Sequence, residues 1–499
     1  MRNSQNRIVS KKNILIFAFI VNLAALVTLS FFNFFWIYAV VVGVGVIVMS
    51  FFVANNNFVT HKMSTLLVIF AFPLFAILLY VFTKSKARWL FGRRTWRKLN
   101  YASSDYVVVE EEPFETLKKH DYNAYKISKF YANYFNAPLY QNTSVRYISG
   151  AKKYYEEVFE ELLDAKKYIL IDAYKIREGD IWDRLFEVLK QKAREGVEIK
   201  ILYNPKTNKD SFTDKFTFKK LENYKIEVEP FRSSLYGFAS HRKLFVIDGI
   251  VAFVGGANIY DDQSVVTAEF GNWRQSGVKL TGDAVWNLSV LFLNSWRFAK
   301  DKVDTDYIKY KPEQLPKAKS NEFVQPLSIS PLSNRNEVRD MYLNLINNAK
   351  TNITIMSSCY LIDSHIFSAL SNAVKGGVDV SIIASNNTDR YNRNILGRGY
   401  YESLIRAGVK IYEYGGAVRS KVVSVDGVTA LIGGANVDIG KLESCFDCSV
   451  LIHSREVLKE IDKEQKKIME ESRLLAVKDL KDDSFKDKFR GKVYRFFSM

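Results

Sequence analysis

At 499 residues the chain is too long for one ordinary domain and accommodates two or three. Its 71 Lys and Arg outnumber 54 Asp and Glu, and a net charge of +17 points to an anionic partner, either nucleic acid or an acidic membrane surface. Three cysteines, Cys359, Cys445 and Cys448, are too few for a disulfide framework and fit a reducing compartment.

Residues 13–53 carry no charge. That is about twice the roughly 20 residues one membrane-crossing helix needs, so a hairpin turning near Asn33 is expected. A second apolar run, 64–82, is interrupted only by Pro73. Residues 1–83 therefore read as a membrane anchor of two or three transmembrane helices; the apolar stretch is too long for a cleaved signal peptide. Basic residues flank both ends, Arg2, Arg7, Lys11 and Lys12 before and Lys84, Lys86, Arg88, Arg93, Arg94, Arg97 and Lys98 after. Three crossings cannot put both clusters inside. The denser second cluster places everything after residue 83 in the cytoplasm of a multi-pass protein of the bacterial cell membrane. Residues 84–150 form a basic lead-in whose Trp89 and Trp96 are expected at headgroup depth, with cations facing anionic lipid.

From residue 151 the pattern becomes that of a cytoplasmic α/β domain. A helix carrying Val158, Phe159, Leu162 and Leu163 precedes a strand at 168–171. A second helix, with Ile181, Trp182, Leu185, Phe186 and Leu189 on one face, stops near Gly196 before a strand at 197–203. The order recurs downstream: a strand at 353–356, a helix with Ile366, Phe367, Leu370, Ala373 and Val374, a Gly376-Gly377 stop, and a strand at 378–383. An internal duplication follows, with repeats at 151–300 and 329–455 and a charged, proline-containing linker at 301–328. Residues 456–499 form a charged helical tail. Phe485, Phe489, Val493, Phe496 and Phe497 recur there at helical spacing between cations, as on a membrane-surface helix.

The duplication is sharpest at HRKLFVIDGIVAFVGGAN (241–258) and RSKVVSVDGVTALIGGAN (419–436), related without a gap by 419 − 241 = 178 positions. Lys243 matches Lys421, Asp248 matches Asp426, and Asn258 matches Asn436, but His241 is replaced by Arg419. On a strand, His241 and Lys243 share a face, and each asparagine returns after a Gly-Gly turn. A base or nucleophile, fixed positive charge and amide donors together form a cradle for a phosphate group. A single copy would read better as a strand-end histidine; two copies in register argue for a shared site. Cys445 and Cys448 form a CxxC without a second ligand pair, and read as small residues beside a strand.

HxKxxxxD followed by GGxN, twice, resembles the phospholipase D superfamily. The apolar run 64–82 before a basic segment, KAREGVEIKILYN and LIRAGVKIYEY are similar to bacterial cardiolipin synthases. The resemblance implies an α/β fold of two phospholipase D-like repeats, a pseudo-twofold pair of mixed sheets flanked by helices. It also implies transfer of a phosphatidyl group from one phosphatidylglycerol to another, with loss of glycerol, through a phosphohistidine and without a metal or other cofactor. His241, Lys243, Asp248, Lys421, Asp426 and Asp447 would then be catalytic, with Asn258, Asn436 and Arg419 binding substrate.

In that family each catalytic histidine is steadied by a carboxylate from the opposite repeat. Phe446-Asp447 supplies one for His241, whereas Trp273-Arg274-Gln275 offers only an amide opposite Arg419. Arginine stays protonated, so it can clamp phosphate but not act as a general acid. His365 and His453 could replace the missing acid only if the fold brings them to the site. Two readings compete: an active transferase with one histidine, and an impaired relative that binds anionic phospholipid without turnover. The expected partners are an anionic membrane, phosphatidylglycerol, and a second copy or an intact homologue. Nucleic acid is not expected, since a nuclease of the same superfamily fits poorly with the apolar spans.

Overall fold

The computed structural model describes residues 86–205, 207–208, 221–231, 239–256, 258–261, 273–300, 306–318, 322–333, 336–357, 362, 364–386, 400–433 and 445–480, with isolated helical positions before residue 44. The expected spans at 13–53 and 64–82 and the aromatic tail at 485–497 lie outside the described residues but for those isolated positions. Among described residues no helix is long and apolar enough to cross a membrane. Phe91–Gly491 form one compact unit, and all that follows concerns it.

Two sheets are built in the same order. The first runs β1 (Thr143–Ser149), β9 (Ser276–Gly282), β7 (Val251–Gly255), β6 (Lys243–Ile247), β2 (Tyr168–Ala173), β3 (Glu198–Tyr203), β4 (Glu227–Pro230). The second runs β10 (Phe323–Ile329), β17 (Cys445–His453), β16 (Thr429–Gly433), β15 (Val422–Val425), β11 (Asn352–Met356), β12 (Asp379–Ser385), β13 (Lys410–Tyr414), closed by β18 (Ser472–Leu474). In each, β2–β3–β4 or β11–β12–β13 pair in parallel and the motif hairpin pairs antiparallel. The parallel strands read YILIDA and DVSIIAS because crossover helices cover them. The helices Asp180–Arg194 and Ser364–Lys375 fill those crossovers, and Trp182, Leu185 and Leu189, like Ile366 and Leu370, are buried.

Three boundaries expected from the sequence shift. Strand β1 lies before residue 151 yet pairs with β9 along its whole length, and β10 lies inside the expected linker yet pairs with β17. Both are edge strands whose backbone groups complete a ladder, a demand that composition does not display. The helix Arg455–Glu470, assigned to the tail, buries Val457, Leu458, Ile461 and Ile468, and Ser424 Oγ donates to its Gln465 Oε1 at 2.8 Å. It is the counterpart of Ala284–Lys300, whose residues are buried all round from Ala284 to Ala299. A fourth correction concerns the lead-in. In the helix Lys86–Ser103, Trp96 and Leu99 are buried inside this unit, with Trp96 edge-on to Phe298 and Phe446, so Trp96 does not sit at headgroup depth; the Trp89 side chain lies outside the described residues.

Candidate functional site

Each motif strand is preceded by a short segment that pairs with a strand of the other repeat. Strand β5 (Ala239–Ser240) pairs in parallel with β17 of the second repeat, and His241 N–H donates to Phe446 O at 2.8 Å. Reciprocally, β14 (Ala417–Val418) pairs with β8 (Trp273–Arg274), and Arg419 N–H donates to Arg274 O at 2.7 Å. His241 is thereby fixed beside the strand carrying Asp447, and Arg419 beside the one carrying Gln275. The glycine turns meet between them. A Cβ on Gly255 would lie 3.6 Å from Gly433 Cα, and one on Gly433, whose φ is +116°, would reach 2.9 Å from Cys448 O.

A narrow cleft results, lined by His241, Lys243, Arg419, Lys421, Asp447 and Cys448 with the glycine turns. Asp447 is buried; its Oδ1 accepts Cys448 N–H at 3.0 Å and its Oδ2 lies 3.8 Å from Lys421 Nζ. The His241 ring packs against Tyr174, 4.3 Å between centroids, and its Nε2 lies 3.4 Å from Cys445 Sγ. Across the cleft, the Arg419 guanidinium stands over Trp273, 4.9 Å from the ring centroid. Gln275 is buried with neither amide atom hydrogen-bonded. The amide expected to accompany the arginine does not engage it. Burial, then Asp447, pushes the Cys448 thiol up to about 12, so it stays protonated.

Asp248 and Asp426, expected among the catalytic residues, are placed elsewhere. Each follows the far end of its strand, about 17 Å of extended chain beyond the lysine. Asp248 has φ +54° and accepts the N–H groups of Lys166, Lys167 and Tyr168 at 2.7–2.8 Å. Asp426 has φ +53° and accepts those of Lys350, Thr351 and Asn352. Both hold the entry of the neighbouring strand. Asn258 follows the first glycine turn, its carbonyl accepting Tyr260 N–H at 2.9 Å, and does not line the cleft; Asn436 lies outside the described residues. His365 is exposed on its helix. His453 is buried at the other end of β17, bonded to Ser128 Oγ at 2.8 Å and Thr429 Oγ1 at 2.9 Å, and burial lowers its pKa to about 4.

The sequence reading missed Arg242. Flanked by His241 and Lys243, it alternates to the opposite face and is fully buried. Its Nη1 lies 3.7 Å from Asp172 Oδ2 and donates to Ser295 Oγ, its Nε donates to Asp447 O at 3.3 Å, and its guanidinium stands 5.5 Å over Phe446. Burial, opposed by Arg242, pushes the Asp172 carboxyl up to about 6. The available signal was strand alternation: an arginine on the face away from the cleft requires a buried acid, and YILIDA contains one.

Two short segments exchanged between two repeats around a cationic cleft give the layout of a duplicated phospholipase D-like protein. The family model described as the cardiolipin synthase PLD-like domain matches residues 158–271 and 342–469, once in each repeat. An uncharacterized protein of Streptococcus mutans is 29% identical over 452 residues, covering 89% of this chain and 97% of that protein. A cardiolipin synthase of Alkalihalophilus pseudofirmus is 27% identical over 431 residues, covering 83% and 82%. The crystal structure of a phosphatidylserine synthase of Haemophilus influenzae aligns with a TM-score of 0.57 at 15% identity, covering 75% of this chain and 97% of that one, a likeness of fold. The chain belongs to the phospholipase D superfamily, in its bacterial cardiolipin synthase branch.

Proposed function

We propose that the protein is a membrane-bound phosphatidyltransferase that joins two phosphatidylglycerol molecules and releases glycerol. The observation that carries the reading is the cleft itself, where His241 and Lys243 of one repeat face Arg419, Lys421 and Asp447 of the other. A His241 nitrogen attacks phosphorus, the bond to the departing glycerol oxygen breaks as that oxygen takes a proton from solvent, and the phosphatidyl group rests on the imidazole. The hydroxyl of a second phosphatidylglycerol then attacks, breaking the P–N bond and giving its proton to solvent. Lys243, Lys421 and Arg419 hold the phosphoryl oxygens. The protein is anchored in the bacterial cell membrane by residues 1–83, with the two repeats on the cytoplasmic side.

A second reading, lipid binding without turnover, is favoured by the Arg419 half-site, which has neither a titrating group nor an engaged neighbour in Gln275. Purified full-length protein in phosphatidylglycerol vesicles separates the two. Cardiolipin and glycerol should form in equal amounts and vanish with His241→Ala. Equal product from that variant refutes the histidine mechanism, and no product from the wild type establishes the second reading.

A further inference from the structure

Outside the cleft the same unit contains a larger cavity, about 560 Å³, walled by the helix Lys86–Ser103 and by residues of both repeats. That volume lies in the range of small-ligand sites, about 300–1,000 Å³. Trp96 forms part of its wall, packing edge-on against Phe446 at 4.8 Å, with Arg242 behind it at 5.9 Å. The cavity is thus separated from the cleft by the Trp96–Phe446 wall and presents a different lining. Arg93 and Arg97 enter it from successive turns of the helix, and Asn100, Asn133 and Asn287 add amides. Glu337 is the acid among its described lining residues, and its Oε2 already accepts Ser330 N–H at 2.9 Å.

Two guanidinium groups four residues apart on a helix repel each other. Burial, and then Arg97, holds Arg93 below the usual guanidinium range. An anion between them relieves that repulsion, and guanidinium pairs match phosphate oxygens bidentately. The surrounding amides suit hydroxyl groups, and Val290 and Leu291 give an apolar strip for carbon.

The geometry points to this cavity as a binding site for a phosphate ester of a small polyol, either a glycerophospholipid headgroup or the soluble glycerol phosphate, distinct from the catalytic cleft. The site does not depend on turnover, so the experiment reads binding. Full-length protein in detergent is titrated calorimetrically with dihexanoylphosphatidylglycerol, glycerol 3-phosphate and inorganic phosphate. Besides binding at the cleft, the wild type should show a site that survives Lys243→Gln/Lys421→Gln and, in that cleft variant, weakens about tenfold or more with Arg97→Gln, the loss of a charge-assisted contact. Arg97→Lys should recover part of it by restoring charge. Tighter binding of the short-chain lipid assigns the headgroup as the source, and tighter binding of glycerol 3-phosphate assigns the soluble ester. Binding abolished by the cleft variant but unchanged by Arg97→Gln overturns the proposal, as does inorganic phosphate binding as tightly as both esters. Loss of vesicle activity alone would bear on the cleft and leave this result standing.

Discussion

Arg242→Met should destabilise the protein in a pH-dependent way. The arginine is completely buried beside Asp172, which is 1% exposed, and the two lie 3.7 Å apart. Breaking such a pair from one side costs about 3–5 kcal/mol, because the remaining charge has no compensation. Here the carboxyl has an escape. Its folded pKa is already about 6 against an ordinary 3.8, and removing Arg242 raises it further. A carboxyl with a raised folded pKa binds more protons folded than unfolded. Its favourable contribution is therefore complete below the unfolded pKa and is lost as pH rises through the folded one. The loss of about two units corresponds to about 3 kcal/mol in the wild type, roughly 1.4 kcal/mol per unit. In Arg242→Met the same loss continues to higher pH, so the deficit relative to wild type should be small at pH 5 and approach the full figure by pH 8. Thermal unfolding of the full chain in detergent measures it, alongside Arg242→Met/Asp172→Leu, which should recover most of the deficit at pH 8. An equal deficit at pH 5 and pH 8, or a double variant as unstable as the single, refutes the reasoning.

Arg419→His combined with Gln275→Asp should raise transferase activity by about 10² to 10⁴-fold, the usual worth of a positioned proton donor. It should also add a falling limb at high pH to a rate profile that rises with pH in the wild type; the wild-type rate and profile in both would show that the leaving alcohol needs no donor from that half-site. Gln275→Asp alone should lower the melting temperature, since it puts a carboxylate in a buried place where the present amide has no partner. Iodoacetamide should inactivate the enzyme at Cys445, whose Sγ lies 3.4 Å from His241 Nε2. Phosphatidylglycerol should slow that inactivation and Cys445→Ala should prevent it, and full activity of protein carboxamidomethylated at Cys445 would sink the placement.

The sequence displays what repeats and misses what does not. The crossover helices and parallel strands are legible because burial on both faces forces unbroken apolar runs, and the motif hairpins because two copies share a register. The edge strands β1 and β10 are missed because their contribution is hydrogen bonding, which leaves no compositional trace. Asp248 and Asp426 show why recurrence does not assign a role: both recur, but each is occupied by three backbone amides. Arg242 shows the reverse. Its counterpart is Ser420 and the counterpart of Asp172 is Met356, so the buried ion pair exists in the first repeat alone and comparing the copies hides it.

That asymmetry bears on what the surviving half-site can do. Both exchanged segments, β5 on β17 and β14 on β8, keep their backbone pairing, so the scaffold that once-equivalent side chains need is present on both sides whichever side chains occupy it. It holds Arg419 where the alignment places a counterpart to His241. The change therefore exchanges a proton carrier for permanent charge without moving the site. With Lys243, Lys421 and Arg419 against Asp447, the lining carries 3 − 1 = +2 before substrate enters. A phosphodiester brings one negative charge, and the five-coordinate phosphorus formed on attack by a neutral imidazole spreads that charge over its equatorial oxygens while the leaving oxygen gains more. Fixed cations in a narrow cleft favour the more concentrated charge, so on the proposed mechanism Arg419 would lower the barrier by electrostatics while withholding the proton. On the proposed mechanism, attack of His241 on phosphorus would be the step this cleft assists, and protonation of the departing glycerol the step it leaves to solvent or substrate.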